Sequence, residues 1–405
     1  MAKLTTKLTV IAVFGALCFI GALESGVFMT VFHVSQWTDV KMNTSSRLML
    51  YSNTVLIRES QVPSYQKYEE CKAPITKVVF LKTYKTGSTT VSSILSRFGL
   101  GHNLSFVIPA QHHPGYFSRT ERFNSEMETQ LLPPLPGSRY SMLVSHVPFN
   151  KTAINNVIPN ATFITILRHP VAAYESIFGF AAIADHLHMN YTSNEDPFEM
   201  FLSNTDFYMN RTKSLYYRTL LRNRQIFDVG LDPKNYDNET LVEHVIQQAT
   251  NDFDLVMITE YFDESLILLK QLLCWEFEDI LYVHQNARKN RPRFKIDDWK
   301  RQRIFEINSA DYKLYQHFNK TFWHKVRAYG DSFYDDLVTF RGMLQKVPLE
   351  CLDNGGSVNE NKHPVNKTRV KDIAHSYCTN IKTWNFDEME ARQQTKGRNT
   401  KRHVP

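Results

Sequence analysis

Cysteine is sparse in this 405-residue chain, and its placement already excludes several kinds of protein. There are five, none in a C-x-x-C pair and none grouped with histidine at zinc-ligand spacing, so a structural zinc module is ruled out. No G-x-x-x-x-G-K-[ST] run occurs either, which removes the Walker A nucleotide loop. No internal repeat is found. Charge is missing from one long stretch: from Leu8 to Phe32 the only ionisable side chains are Cys18 and Glu24, and after Lys7 there is no Lys or Arg until Lys41.

An apolar run of that length is longer than a signal-peptide core and fits a membrane span. The two lysines on its short N-terminal side orient residues 1–7 to the cytosol and the rest to the lumen by the positive-inside rule. Small residues at Ala16, Ala22 and Ser25 leave a cleaved signal peptide as the competing reading. Nine N-x-[ST] sequons, at Asn43, Asn103, Asn150, Asn160, Asn190, Asn210, Asn238, Asn319 and Asn366, support lumenal exposure beyond an anchor at 8–32. Asn160, directly before an apolar run, is the least suitable of them. In an oxidising lumen Cys71, Cys274, Cys351 and Cys378 are expected to form two disulfides, with all three pairings open.

With 42% hydrophobic and 22% charged residues, the remainder has an ordinary globular composition. Residues 33–74 are polar and weakly periodic, as in a stem. A catalytic domain is expected over 75–380, followed by a basic, disordered tail at 381–405 that carries Arg392, Lys396, Arg398, Lys401 and Arg402. Short β-branched runs at Val78 to Leu81, Tyr140 to Val144, Phe163 to Leu167 and Leu255 to Ile258 predict a parallel α/β sheet flanked by helices. Ligands of such sheets bind at the carboxyl ends of the strands. The residues to inspect there are Lys82 to Thr90, Ser145-His146, Arg168-His169 and Thr259-Glu260. Helices are predicted from Val91 to Phe98, capped by Gly99, over Ala172 to Phe178 and over Phe262 to Leu273. Further helices are expected across Trp299 to Tyr329, where Tyr312, Tyr315, Phe318, Phe322 and Trp323 read as core.

The first strand runs into Lys82-Thr83-Tyr84-Lys85-Thr86-Gly87-Ser88-Thr89-Thr90 and then into a helix. That is a phosphate cradle: helix N–H groups, hydroxyls and ammonium groups converge on an anion. A second anion site is suggested where the third long run ends in Arg168-His169-Pro170. Arg168 at the strand end and Ser176 two turns along the helix could share one phosphate, with the guanidinium binding it bidentately. His146, at the active edge of the sheet, is the candidate general base, an imidazole poised near neutrality. His112 and His113 are its rivals. A basic loop at Arg288, Lys289, Arg291 and Arg293 could close over a nucleotide.

Three segments carry a family resemblance: V-V-F-L-K-T-Y-K-T-G-S-T-T, N-A-T-F-I-T-I-L-R-H-P-V-A-A-Y-E-S and E-Y-F-D-E-S-L-I-L-L-K-Q-L-L-C-W-E-F-E-D-I-L-Y. Across roughly residues 75 to 355 the chain resembles the galactose 3-O-sulfotransferases, the galactosylceramide sulfotransferase among them. The resemblance implies a type II Golgi membrane enzyme with a P-loop-kinase-like fold. Its sulfuryl donor would be 3′-phosphoadenosine 5′-phosphosulfate (PAPS), with no metal, and its acceptor a galactose-terminated glycolipid or glycan. Lys82, Thr83, Tyr84, Lys85, Thr86, Gly87, Ser88, Thr89 and Thr90 would hold the 5′-phosphosulfate, and Arg168 with Ser176 the 3′-phosphate. Lys85 would neutralise the leaving phosphate oxygen and His146 would deprotonate the acceptor hydroxyl.

The chain departs from the family at Tyr84, where a histidine is usual, and at His169, where an aspartate is usual. His169 would place a possible cation beside the 3′-phosphate. No nucleic-acid partner is expected, and a homo-oligomer stays open. The competing function classes are a lumenal kinase using ATP and a non-catalytic glycosylated ectodomain.

Overall fold

Short runs of β-branched residues with no charge inside them are stable only when both faces of the strand are covered. The chain satisfies this with one parallel sheet. The structure is a computed structural model that describes residues 71–110, 116–283, 294–352 and 386–400. Its strands are β1 (Val78–Leu81), β2 (Ser105–Phe106), β3 (Tyr140–Leu143), β4 (Thr162–Leu167) and β5 (Leu255–Ile258), in the order β2-β3-β1-β4-β5. Every pairing is parallel, with Val78 opposite both Met142 and Thr162. The connections from β1 build one side of the sheet and then the other, so the chain reverses direction at β1. A crevice opens at such a switch point, outside the carboxyl ends of β1, β3 and β4.

The helices that shape this crevice are α1 (Ser88–Gly101), α2 (Pro170–Phe180), α3 (Arg224–Val229), α4 (Phe262–Leu273) and α5 (Ser309–Tyr329). Pro170 sits in the first turn of α2, where its missing N–H costs nothing. Val78, Val79 and Phe80 are fully buried, as are Val91, Ile94 and Leu95 on the facing stripe of α1. Each such side chain contributes about 1.5–3 kcal/mol of burial. The predicted aromatic stripe is core: Tyr315, Phe318 and Phe322 of α5 are buried, with Tyr312 and Trp323 half-buried.

Two expectations are corrected, and one strand is new. Gly99 does not cap α1, which runs on to Gly101 and is capped by His102. Instead the Gly99 backbone lies so close to β2 and β3 that a Cβ would come within 2.5 Å of Met142 Sδ and Phe106 Cζ. The strand β2 was not foreseen, because two residues are too few to show alternation. The tail expected to be disordered contains a helix, α6 (Phe386–Thr400). Gln393 on α6 accepts from the Phe106 N–H at 2.8 Å and donates to the Pro133 carbonyl at 3.1 Å, so it covers the open edge at β2.

Cys71 and Cys274 form a disulfide with Cα atoms 5.4 Å apart. By closing a loop of some two hundred residues it stabilises the fold by roughly 2–5 kcal/mol. The side chain of Cys351 and all of Cys378 lie outside the described residues. So do the expected anchor at 8–32, His112, His113 and the loop carrying Arg288, Lys289, Arg291 and Arg293. Among the described residues no helix is long and apolar enough to cross a membrane. Asn160 is exposed in a turn at φ 57°. Asn150 is the more hindered sequon, since the amide nitrogen a glycan would use donates to the Phe123 carbonyl.

Candidate active site

After β1 the chain must turn sharply into α1, and it does so with Lys85 at φ 61° and Gly87 at φ 77°. Glycine adopts this left-handed region without strain; lysine does so only under local constraint. The constraint is a set of short hydrogen bonds. The Thr83 hydroxyl donates to the Ile166 carbonyl at 2.5 Å and lies 2.7 Å from the Thr86 hydroxyl, while Ser88 donates to the Thr83 carbonyl at 2.6 Å. Thr259, just after β5, bridges the Thr86 carbonyl at 2.6 Å and the Leu167 carbonyl at 2.9 Å. Thr83, Thr86 and Ser88 are buried and serve this scaffold. Gly87 is exposed and Thr89 half-buried at the mouth of the turn, and Thr90 is buried in the first turn of α1.

The first turn of α1 has no side-chain cap. Its dipole and first N–H groups are therefore available to an anion. Lys82 is buried beside it, with Nζ 3.2 Å from the Thr89 hydroxyl. Burial, reinforced by the Lys85 charge, pulls its ammonium down to about 7. An incoming phosphate would reverse that shift. The Lys85 ammonium lies 3.7 Å from the centre of the Phe180 ring on α2.

The two anion sites read separately from the sequence are joined in space. Arg168 Nη1 donates to the Lys85 carbonyl at 3.0 Å. The Arg168 backbone is in turn held from both sides by Gln225 of α3: its N–H donates to Oε1 at 2.8 Å and its carbonyl accepts from Nε2 at 2.9 Å. Ser176 is half-buried on α2. His169 is not a cation near neutrality, because burial, then the Arg301 and Arg168 charges, lower its imidazole to about 4. The His169 backbone N–H donates to Glu260 at 3.0 Å.

His146 is buried directly beneath the cradle, its Nδ1 2.8 Å from the Lys82 carbonyl. A carbonyl only accepts, so Nδ1 carries the proton and the neutral ring presents its lone pair at Nε2. Burial first, then the Lys82 and Arg224 charges, hold the imidazole well below its ordinary value rather than near neutrality. The ring stacks with Tyr84, at 4.4 Å between centres, and with Tyr116, at 5.2 Å. Tyr84 therefore contributes to the support of His146: its side chain is buried, and its backbone N–H donates to Asp228.

Residues of α3 that the sequence reading passed over tie these parts together. The buried Arg224 guanidinium lies 3.9 Å from the centre of the Tyr84 ring and pairs with Asp228 at 2.8 Å. Burial pushes the Asp228 carboxyl up to about 6 against the pull of Arg224. Asp311 of α5 accepts from the N–H groups of Gln225 and Ile226, at 3.1 and 2.8 Å, fixing the start of α3. A single six-residue helix thus holds Tyr84 through Arg224 and Asp228, and Arg168 through Gln225. The only sequence signal was a buried-type stretch carrying three polar residues, Arg224, Gln225 and Asp228, which is unusual for a helix of that length. Among the described residues no group of three His, Cys, Asp or Glu side chains is placed to hold a metal ion.

Comparison with known proteins identifies the family. Residues 20–400 match the family described as galactose-3-O-sulfotransferase. The chain is 34% identical over 291 residues to the galactosylceramide sulfotransferase of Mus musculus, covering 70% of this chain and 66% of that protein. It is 31% identical over 305 residues to galactose-3-O-sulfotransferase 2 of Homo sapiens, covering 74% and 72%. With galactose-3-O-sulfotransferase 3 of Bos taurus it shares 34% over 264 residues, 62% of this chain and 58% of that protein. The family match spans most of the chain, and on it the chain belongs to the galactose-3-O-sulfotransferase family.

Proposed function

We propose that this protein transfers a sulfuryl group from PAPS to the 3-hydroxyl of a terminal β-galactose on a glycolipid or glycan. The observation that carries this reading is the Arg168 to Lys85 hydrogen bond at the switch point of the sheet. It brings together the loops after β1 and β4, which supports a nucleotide with phosphates at both the 5′ and the 3′ position. The uncapped start of α1, Lys82 and Lys85 fit the 5′-phosphosulfate, and Arg168 fits the 3′-phosphate.

The donor supplies an activated sulfuryl group. Lys85 and the α1 dipole favour the negative charge that develops on the bridging oxygen as it leaves. His146, neutral and with Nε2 unprotonated, accepts the proton of the galactose hydroxyl. The hydrogen bond from Nδ1 to the Lys82 carbonyl fixes that tautomer, so base and cradle are coupled through one residue. The compartment belongs to the same proposal: an anchor at 8–32, a lumenal catalytic domain and residence in the Golgi.

The test is transfer from ³⁵S-labelled PAPS to galactosylceramide, lactosylceramide, N-acetyllactosamine and the core 1 disaccharide, with linkage analysis of the product. Label on the galactose 3-hydroxyl of at least one acceptor is the expected result. Absence of transfer to all four, or label at another position, would contradict the reading.

A further inference from the structure

A cationic cavity lies apart from the donor cradle. It measures about 690 Å³ and is lined by Arg122, Arg218, Arg222 and Lys234 against a single carboxylate, Asp232. That volume is in the range of pockets that enclose small ligands. Part of the charge is already engaged: Arg222 pairs with Asp237, Lys234 with Asp232 at 3.3 Å, and Arg122 donates to the Gly230 carbonyl. Counting Asp237 as well, the cations still exceed the carboxylates by two. Guanidinium groups converging on a concave surface favour a planar or tetrahedral oxyanion.

The cavity adjoins the layer that covers His146. The Thr219 hydroxyl, in its wall, accepts from Arg224 Nη1 at 2.9 Å, and that same guanidinium lies over Tyr84. Thr120, also in the wall, follows Arg119, whose guanidinium lies 4.7 Å from the centre of the Tyr116 ring and 4.8 Å from that of Tyr216. Two chains of contact thus run from the cavity to the rings that stack on His146. On the second chain Arg119 is exposed and Tyr116 half-buried, so that side of the layer faces solvent.

We propose that the cavity is an acceptor subsite that binds a carboxylate or sulfate group carried by the sugar next to the galactose. This rests on the sulfuryl-transfer reading for the position of the galactose, but its test does not require turnover. Lactobionate and lactitol are both β-galactosides and differ by one carboxylate in place of a hydroxymethyl group. Their binding to the full-length protein, with 3′,5′-adenosine bisphosphate present, is measured by calorimetry at low salt.

Lactobionate should bind about tenfold more tightly. Arg218 is exposed and makes a safe variant; Arg218→Ala should shrink the ratio to about twofold or less, as should raising the salt for the wild type. A wild-type ratio near one, binding of neither compound, or a preference that survives in both Arg218→Ala and Arg122→Ala would overturn the proposal. Transfer to the four acceptors named above, assayed separately, reports on the transfer reading. A preference for lactobionate with no transfer to any of them would sink that reading and leave only an anion site in the cavity.

Discussion

The donor cradle and the support of His146 share Tyr84 but are built in opposite ways. The cradle is one contiguous loop, tied by hydroxyl-to-backbone bonds and opening to solvent at Gly87. The support is assembled from Tyr84, Tyr116 and the Arg224–Asp228 pair, three segments far apart in sequence, and combines ring stacking with a buried ion pair. A cradle must admit and release a nucleotide, so it presents backbone groups and hydroxyls that water can satisfy in the free state. A base must stay neutral and fixed, and a dry aromatic layer beside cations achieves both. Damage to the first should therefore appear in donor binding, and damage to the second in turnover or in folding.

The largest effect should come from His146, the proposed base. His146→Ala is expected to lower kcat by about 10² to 10⁴ while changing the affinity for 3′,5′-adenosine bisphosphate little, because the phosphate contacts lie on other side chains. Equal losses in both would dissolve the distinction between the two regions. The depressed imidazole also sets the pH behaviour. In the unfolded chain His146 takes up a proton as pH falls through about 6.5, whereas in the folded protein it resists. Stability contributed by this residue is thus lost on acidification below that value, and the acidic limb of kcat/KM should lie below it as well.

Next in size is the buried pair. Asp228→Asn strands the Arg224 guanidinium in the core and should destabilise the protein by about 3–5 kcal/mol. Thr89→Ala, in the cradle, removes a half-buried hydroxyl and should cost no more than about 1 kcal/mol, while weakening donor binding. Thermal melts with and without 3′,5′-adenosine bisphosphate separate the two cases. A large loss of stability from Thr89→Ala, or none from Asp228→Asn, would show that the regions had been assigned the wrong way round.

A smaller effect belongs to Lys82. With its ammonium at about 7 in the free protein, a bound phosphate should raise it, so donor binding near pH 7.5 takes up part of a proton and weakens as pH rises. Calorimetry in buffers of different ionisation enthalpy reads that uptake directly. The sign for folding is also fixed: between about 7 and the unfolded value the unfolded chain holds a proton that the native chain has released, so this lysine's burial penalty eases as pH rises.

Much of the fold was legible because its signals are local. The runs at Val78, Tyr140, Phe163 and Leu255 became strands to within a residue or so, and Phe262–Leu273 is a helix over the residues predicted. The places of the loop after β1 and of Arg168 were legible because both directly follow strand ends, although the bond that joins them was not. The rest was not, for three physical reasons. Gly99 looked like a cap, and only the packing of α1 on β3 shows that it is a point of close approach. The polar composition of the tail concealed Gln393, whose two hydrogen bonds dock α6 on the edge strand. The α3 hub has meaning only through contacts at long sequence separation: Gln225 reads as an ordinary polar residue until Arg168 is brought to it.

The central claim is that the loops after β1 and β4 together hold one nucleotide phosphorylated at both the 5′ and the 3′ position. The direct test is the affinity of the protein for 3′,5′-adenosine bisphosphate and for 5′-AMP, which differ only in the 3′-phosphate, measured on the wild type and on Arg168→Ala. The wild type should favour the bisphosphate by about tenfold or more, and Arg168→Ala should bind the two almost equally by losing affinity for the bisphosphate alone. Equal affinities in the wild type, or a preference that Arg168→Ala leaves intact, would contradict it.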